Sequence, residues 1–234
     1  MNLLPSLDVI GQGHRWTLVN KPAGIAVERN KTLDTVELRA VRQFRRSRAT
    51  KDPYVGIVHR LDKPTSGCLL LTHNKSTLVD FQQQWEDRKV TKTYWALVNI
   101  PPSQKSGILT HYIFRDRTGR KAIASARPLR NAKKAELHFK LILSEADYTL
   151  LEIKLMTGRF HQIRAQLAAI GSPIIGDSLY GDVSLFRENI IALHARSLSF
   201  EAYLEDPATG GKKETLSYEA TLPTYWPMND DSLS

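Results

Sequence analysis

The chain has 234 residues, of which 41% are hydrophobic, enough to build a packed core and to exclude a largely disordered chain. Lysine and arginine number 33 against 24 acidic residues, and the formal charge of +9 favours a polyanionic partner, with nucleic acid as the first candidate. The single cysteine excludes an internal disulfide and any multi-cysteine zinc or iron–sulfur site.

The first half of the chain alternates predicted strands and helices. Residues 16–20 form an apolar strand that ends at a turn containing proline and glycine. Asp34 has Glu37 three residues later, which is the spacing of a capping box and predicts a helix from there to about Phe44. A second helix is indicated by three apolar residues at helical spacing: Leu78, Phe81 and Trp85.

The second half is rich in strands. Apolar residues alternate or cluster in five segments: residues 91–99, 137–143, 148–155, 193–200 and 215–221. An apolar stripe predicts a helix over residues 158–170, with Arg159, Gln162 and Gln166 on another face that presents charge. Many strands with few helices predict an α+β fold with a central mixed, mainly antiparallel β-sheet flanked by helices and loops.

The organisation of the chain is predicted to be simple. No internal repeat, low-complexity segment or flexible linker divides the sequence, so we predict one domain over residues 1–227 and a flexible C-terminal tail over residues 228–234. The start has no basic segment before a long apolar stretch, and no run approaches the roughly 20 apolar residues that span a bilayer. We expect a soluble cytoplasmic protein without a membrane partner.

A charged turn directly before an apolar strand is the most informative stretch. Asp62 lies there between Arg60 and Lys63, two cations that favour an ionised carboxylate. Pro64 and Gly67 restrict the backbone around it. An ionised carboxylate can attack or deprotonate a substrate. The alternative is that Asp62 merely closes an Asx-type turn.

Several separated blocks resemble the RluA-type RNA pseudouridine synthases, in the order found in that family. The blocks are Val19-Asn20-Lys21-Pro22-Ala23-Gly24, His59-Arg60-Leu61-Asp62 with Thr65-Ser66-Gly67, Lys92-Thr93-Tyr94-Trp95-Ala96-Leu97-Val98, Thr157-Gly158-Arg159-Phe160-His161-Gln162-Ile163-Arg164, residues 171–181, and Leu193-His194-Ala195. The resemblance extends over roughly residues 14–222 and implies a pseudouridine-synthase-type catalytic domain.

The resemblance implies an isomerase that converts uridine to pseudouridine in structured RNA. Asp62 would start the reaction, either by adding to ribose C1′ or by removing a C2′ proton, and the sequence leaves both routes open. Tyr94 would stack on the target base, and Arg159, placed at a helix start, would pair with Asp62. The uracil detaches, rotates and rejoins through C5, so no cofactor and no metal are expected.

RNA contacts are expected from the motifs and from two basic stretches. Arg60 would enter the RNA stack while the target base is flipped out. Further contacts implied by the resemblance are His59, Thr65, His161, Gln162 and Arg164. The basic stretches are Arg39, Arg42, Arg45, Arg46, Arg48 and Lys51, and then Arg115, Arg117, Arg120, Lys121, Arg127, Arg130, Lys133 and Lys134. We hypothesise that the second forms an RNA-gripping hairpin through Arg117, Arg120 and Lys121, and the alternative for both is a solvated surface.

The chain departs from the family pattern at Gln166, where the motif usually has a histidine that can protonate near neutral pH. We also expect no S4 RNA-binding module, since there is no room for one before His14. With Pro64, this favours transfer RNA slightly over ribosomal RNA as the partner. No obligate protein partner is indicated, and a monomer is the default expectation.

Other functions find less support. The block around Asp62 also resembles a kinase catalytic loop, but the sequence has no glycine-rich phosphate loop and no Asp-Phe-Gly triplet. Cys68 lies in an apolar strand and is expected to be a buried hydrophobe rather than a nucleophile. Two alternatives stay open: an RNA N-glycosidase or ribonuclease that uses Asp62, and a non-catalytic RNA chaperone on a retired synthase fold.

Overall fold

The computed structural model describes residues 4–29, 34–47, 50–182 and 186–228. The chain divides into two compact units, the first comprising residues 1–91 and 195–234 and the second residues 92–194. Residues 229–234 of the predicted tail and Arg48 of the first basic stretch lie outside the described residues. The prediction of a single domain over residues 1–227 stays a prediction.

The elements follow one another as the α+β class predicts. In chain order they are β1 (Asp8–Gly13), β2 (Trp16–Lys21), α1 (Val36–Gln43), β3 (Gly56–Ile57), β4 (Ser66–Thr72), α2 (Lys75–Glu86), β5 (Thr91–Val98), β6 (Ser106–Arg115), β7 (Ala122–Ser125), β8 (Lys133–Ser144), β9 (Thr149–Leu155), α3 (Gln162–Ala169), β10 (Leu193–Tyr203), a short 3₁₀ helix (Pro207–Thr209) and β11 (Lys213–Glu219). Adjacent strands such as β1–β2, β5–β9 and β6–β8 pair antiparallel, and an isolated bridge between Ala26 and Thr35 is parallel. The predicted α+β fold with a mixed, mainly antiparallel sheet is confirmed.

The first unit is built on the strand order β1-β2-β4-β10, with β11 paired to β10 and β3 to β4. All seven residues of β4 are buried, as expected of an apolar run that is covered on both faces. Trp16 packs edge-on against Phe200 and Tyr218, with ring centroids 5.3 and 5.9 Å away. Helix α2 is fixed to the sheet by Gln84, whose amide exchanges two hydrogen bonds with the backbone of Glu201.

The start of helix α1 differs from the prediction. The N-cap is Thr35, whose hydroxyl accepts a hydrogen bond from the backbone N–H of Leu38 at 3.2 Å. Asp34 instead forms a bidentate ion pair with Arg39, with both distances 2.7 Å. Arg39 is buried, with its guanidinium neutralised by Asp34, so neither the expected RNA contact nor the alternative of a solvated surface fits this residue.

The second unit is built on the strand order β5-β9-β8-β6-β7. The long strands β6 and β8 pair from Ser106 opposite Lys140 to Ile113 opposite Lys133. Strands β6 and β7 form a hairpin in which Arg115 lies opposite Ala122. The hairpin geometry predicted for the second basic stretch is thus present, and its proposed RNA contact is a separate question.

Helix α3 is shorter than predicted, because it begins at Gln162 rather than near residue 158. Arg159 therefore precedes the helix, and the prediction that it sits at a helix start is wrong. The predicted charge-presenting face is wrong as well, since Gln162 and Gln166 are buried. Their amides bond to backbone carbonyls inside the unit, Gln162 to Glu136 and Gln166 to Leu109.

Cys68 lies on β4 and is buried, as predicted. Burial raises the pKa of its thiol to about 12, which leaves it protonated and unreactive at neutral pH. Among the described residues, none of the helices has the length and apolar character needed to cross a bilayer.

The backbone of Gly67, at the start of β4, adopts a φ of +110°. A Cβ atom added at Gly67 would overlap the main chain of Ala195. It would lie 2.6 Å from the backbone nitrogen of Ala195 and 2.7 Å from its carbonyl carbon. Gly119, with a φ of +70°, has open space around the same position. Alanine at position 119 would therefore meet only the strain of a left-handed backbone, whereas alanine at position 67 would also overlap the main chain of Ala195.

We expect Gly119→Ala to lower the free energy of unfolding by about 1–2 kcal/mol, because of the left-handed backbone alone. Gly67→Ala is expected to cost about 3 kcal/mol or more, since overpacking against a main chain adds to that strain. Urea unfolding monitored by circular dichroism measures both. Equal losses for the two variants would contradict the contact with Ala195.

Candidate active site

Asp62 lies in the turn that leads into β4. Its carbonyl accepts a hydrogen bond from the backbone N–H of Thr65 at 3.0 Å, which closes the turn. The preceding residue, Leu61, is buried and anchors the turn, while Asp62 itself is half-buried. The turn therefore presents a carboxylate from a fixed backbone, which fits both the predicted catalytic role and the Asx-turn alternative.

Lys21, at the end of β2, is the buried charge beside this turn. Its ammonium donates to the carbonyls of Pro22 and Ile25, each at 2.9 Å, and of Lys63 at 3.3 Å. Burial lowers the pKa of Lys21 to about 7, and the negative charge of Asp62 opposes that lowering. The ammonium thus ties the segment 22–25 to the Asp62 turn and places a positive charge near the carboxylate.

The neighbours of Asp62 divide into anchors and an exposed cation. The His59 ring accepts a hydrogen bond from the N–H of Leu70 at 3.1 Å and stacks on Trp85 at 4.9 Å. Thr65 is buried, so direct RNA contact by its hydroxyl would require the turn to open. Arg60 is 64% exposed and forms an ion pair with Glu28 at 3.1 Å. An exposed pair of this kind is weak, which leaves Arg60 able to exchange partners.

In the second unit, Tyr94 and Arg159 occupy different settings. Tyr94 lies on β5 opposite Ile153 of β9 and is only 8% exposed. Arg159 lies in the loop before α3, where its Nε donates to the carbonyl of Lys134 at 3.2 Å. Its backbone N–H donates to the side-chain oxygen of Gln162 at 3.0 Å. Tyr94 therefore lies on a paired strand, and Arg159 lies on a loop held by hydrogen bonds to Gln162 and Lys134.

Gln162 organises the Arg159 loop from inside. Its side-chain oxygen accepts from the hydroxyl of Thr157 as well as from Arg159, and its amide nitrogen donates to the carbonyl of Glu136. With these bonds made and only 3% of its surface exposed, Gln162 has a structural role in this geometry. Its predicted contact with RNA stays a prediction.

His161 and Arg164 are engaged within the same unit. His161 is the N-cap of α3 and adopts a left-handed backbone with a φ of 50°, which costs a non-glycine residue about 1 kcal/mol or more. Arg164 is buried and forms a bidentate ion pair with Asp177 at 2.7 and 2.9 Å. One Arg164 amino group also donates to the His161 ring at 3.1 Å. Both side chains therefore hold the loop, and their predicted contacts with RNA stay predictions.

The basic hairpin has an ordered tip. The carboxylate of Asp116 accepts from the hydroxyl of Thr118 at 2.7 Å and from the N–H of Lys121 at 3.1 Å, and these bonds lower its pKa. Arg117 and Arg120 are exposed on this tip, whereas Lys121 lies over the ring of Tyr180 at 4.9 Å. Two of the three predicted RNA-gripping cations thus point away from the fold.

Three residues that matter here match the family blocks but were not predicted as site residues: Lys21, Asp177 and Tyr180. Each lies within a block that resembles the family, but nothing in its local pattern distinguishes a buried polar anchor from an exposed residue. A lysine at the end of an apolar strand was the available signal for Lys21. Within the described ranges, no group of three or more His, Cys, Asp or Glu side chains is placed to hold a metal ion.

The family model and the relatives that match this chain are all described as RNA pseudouridine synthases. Residues 15–169 match the family model described as RNA pseudouridylate synthase. An uncharacterized RNA pseudouridine synthase of Bacillus subtilis, YlyB, is 38% identical over 72% of this chain and 52% of its own length. The ribosomal large subunit pseudouridine synthase D of Borreliella burgdorferi is 37% identical over 62% of this chain and 44% of its own length. The chain thus spans about half the length of these curated relatives.

The fold also has a solved counterpart. The structure titled human RNA pseudouridylate synthase domain containing 4 superposes with a TM-score of 0.72, covering 93% of this chain and 89% of that one. Its sequence is 24% identical, so this likeness concerns the fold.

The buried ammonium of Lys21 should give stability a specific pH dependence. Because its pKa falls from 10.5 to about 7 on folding, the unfolded chain binds more protons between these pH values, and the free energy of unfolding rises with pH there. Relative to Lys21→Met, the wild type is expected to gain roughly 2–3 kcal/mol between pH 7 and 9.5 in urea unfolding. Lys63→Met removes an exposed neighbouring lysine and is the matched control, for which no such difference is expected. Parallel pH profiles of wild type and Lys21→Met would show that the ammonium is not buried.

Proposed function

Because this chain belongs to the RNA pseudouridylate synthase family, we propose that it isomerises uridine to pseudouridine in RNA. The observation that carries the proposal is the family match over residues 15–169, which contains Asp62, Tyr94 and Arg159 in the expected motifs. The strongly basic composition agrees with an RNA substrate.

In the proposed reaction, Asp62 supplies the carboxylate that starts the chemistry. The Lys21 side chain lies near this carboxylate and donates to the carbonyl of Lys63 in the same turn. In one route Asp62 adds to ribose C1′ as the bond to uracil N1 breaks. In the other it removes the C2′ proton, and the electron pair left at C2′ expels the uracil. In both, the uracil rotates and its C5 bonds to C1′, which breaks the Asp62–C1′ bond in the first route and is accompanied by return of the proton to C2′ in the second. The C5 proton is then lost and uracil N1 gains a proton, so the overall reaction is an isomerisation.

Tyr94 and Arg159 have supporting roles in this proposal. Tyr94 stacks on the target base and assists removal of the C5 proton, a role suited to an aromatic ring held on a strand. Arg159 provides the cation that pairs with Asp62, and its loop is already fixed by Gln162 and Lys134. These assignments rest on the motif match together with the rigid placement of both residues.

RNA binding in the proposal combines base flipping with phosphate contacts. Unstacking the target uridine costs a few kcal/mol, which side-chain insertion and phosphate contacts must offset. Arg60 suits insertion because it is exposed and its ion pair with Glu28 is weak. Arg117 and Arg120 suit phosphate contact because they project from an ordered hairpin tip. His59 and Thr65 serve mainly by holding the Asp62 turn, and His161, Gln162 and Arg164 serve mainly by holding the Arg159 loop.

We further propose that the substrate is transfer RNA ahead of ribosomal RNA, and that the protein acts as a cytoplasmic monomer. The preference for transfer RNA rests on Pro64 in the Asp62 motif. The name of the Borreliella burgdorferi relative refers to the large ribosomal subunit, so both RNA classes belong in the assay.

Activity is tested by release of tritium from C5-labelled uridine in unmodified transfer and ribosomal RNA transcripts. We expect the wild type to release label without changing RNA mass, and Asp62→Asn to lower the rate at least about 10³-fold, because the group that starts the chemistry is lost. Asp52→Asn, an exposed aspartate outside the motif, is the matched control and should keep the wild-type rate.

The alternatives predict other outcomes in the same assay. A loss of RNA mass equal to uracil would indicate an N-glycosidase, and shortened RNA a ribonuclease. Binding without any release of label from either RNA class, equal in the wild type and Asp62→Asn, would replace the proposal by an RNA chaperone.

The hairpin is tested by the salt dependence of RNA binding. Replacing Arg117, Arg120 and Lys121 by glutamine is expected to weaken binding and to reduce the slope of log K against log salt by about 2, since each lost phosphate contact removes 0.7–0.9. The matched control replaces the exposed Lys105, Lys140 and Lys154 of the same unit. Equal slopes for both triple variants would mean that charge, rather than the hairpin, determines binding.

A further inference from the structure

A set of ring and cation contacts joins the basic hairpin to the loop that carries Arg159. The guanidinium of Arg115, the last residue of β6, lies 4.0 Å from the centroid of the Phe160 ring. Phe160 in turn stacks on the ring of His161, with centroids 3.8 Å apart and planes 20° from parallel. The end of the strand that enters the hairpin tip is therefore in direct contact with the residue after Arg159.

Hydrogen bonds connect the same two segments through Tyr180. Because Arg164 can only donate, its bond to His161 Nε2 makes that nitrogen an acceptor, and the proton of the neutral ring lies on Nδ1. His161 Nδ1–H then donates to the Tyr180 hydroxyl at 3.1 Å. That hydroxyl also accepts from the backbone N–H of Ala122 at 2.7 Å. Ala122 is the first residue of β7, so Tyr180 links the other side of the hairpin to His161.

Buried contacts hold both ends of this chain of hydrogen bonds, at Arg164 and at Tyr180. Arg164 is fixed by its buried bidentate pair with Asp177, so the His161 ring cannot turn without losing its donor. Tyr180 is 7% exposed and packs in an apolar cluster with Ile113 and Ala165. His161 keeps a left-handed backbone, which persists only where surrounding contacts impose it.

We propose that Phe160, His161 and Tyr180 are positioning residues that make the hairpin and the Arg159 loop one mechanical element, so that RNA bound at the hairpin sets the placement of Arg159. This inference deepens the proposed function and rests on it. The four residues Arg115, Phe160, His161 and Tyr180 act as a brace, touching the loop rather than the reacting atoms. Arg159 itself adds a further tie, through its bond to the carbonyl of Lys134.

Tyr180→Phe tests the brace because it removes the shared hydroxyl and keeps the ring. We expect kcat to fall about tenfold while the Kd for the transcript stays within twofold of the wild type, since the hairpin cations are untouched. Tyr148→Phe removes a tyrosine hydroxyl from the turn between β8 and β9 and is the matched control, expected to leave both values unchanged. Phe160→Leu, which keeps apolar volume but not the stack, is expected to show the same split as Tyr180→Phe.

Hydrogen exchange gives a readout that is independent of activity. In the wild type, addition of the transcript should slow exchange of the amides of residues 158–161, and Tyr180→Phe should abolish that slowing and speed exchange at Ala122. Thermal unfolding by circular dichroism verifies that each variant is folded, and Phe160→Leu replaces Tyr180→Phe if the latter is not.

The outcomes separate the two proposals. A wild type that binds RNA but forms no pseudouridine overturns the proposed function, while loss of loop protection in Tyr180→Phe would still support the brace. An active wild type with equal kcat and equal loop protection in Tyr180→Phe overturns the brace and leaves the proposed function standing. Parallel losses of kcat and RNA affinity in Tyr180→Phe would also overturn the brace, because they would identify Tyr180 as part of the RNA-binding surface.

Discussion

The buried ammonium of Lys21 donates to three backbone carbonyls, and the geometry around Asp62 depends on those bonds. Two of the carbonyls, of Pro22 and Ile25, belong to the segment that follows β2, and the third, of Lys63, belongs to the turn that carries Asp62. Burying an ammonium away from water costs free energy. Because of this cost, the pKa of Lys21 is lowered to about 7. A purely apolar side chain would pack there without satisfying the carbonyls, so the charge gives the turn its specific shape.

The second unit also contains a buried charge that holds a loop, in this case an ion pair between Arg164 and Asp177. The Arg164–Asp177 pair is almost fully buried, and pairs of this kind add little net stability compared with well-packed apolar residues. Removing one partner, however, leaves a buried charge unpaired and costs about 3–5 kcal/mol. Together with the amide of Gln162, the pair fixes one conformation of the Arg159 loop. In each unit, a buried polar anchor lies beneath a loop that presents a proposed reactive group.

The comparison of sequence and structure shows where local patterns are informative. The strands β4, β5, β8 and β9 were predicted, since alternation and continuous apolar runs reflect burial directly, whereas β6 was not among the predicted strands. The cap of α1 was misplaced by one residue, because Asp34 and Thr35 are both good caps and only the ion pair with Arg39 decides between them. The burial of Gln162 and Gln166 was missed because helical periodicity assigns polar residues to the surface, and partners distant in sequence override that rule here.

Cys68 has a practical consequence for experiments on this molecule. It is the sole cysteine of the chain, and its thiol is buried within β4 with a pKa of about 12. Maleimides and other electrophiles react with exposed thiolates, so the native protein behaves toward them as if it had no cysteine. A cysteine introduced at an exposed position such as the hairpin tip would then carry a fluorophore or spin label selectively. The chain is suited to site-specific spectroscopy without prior removal of its own thiol.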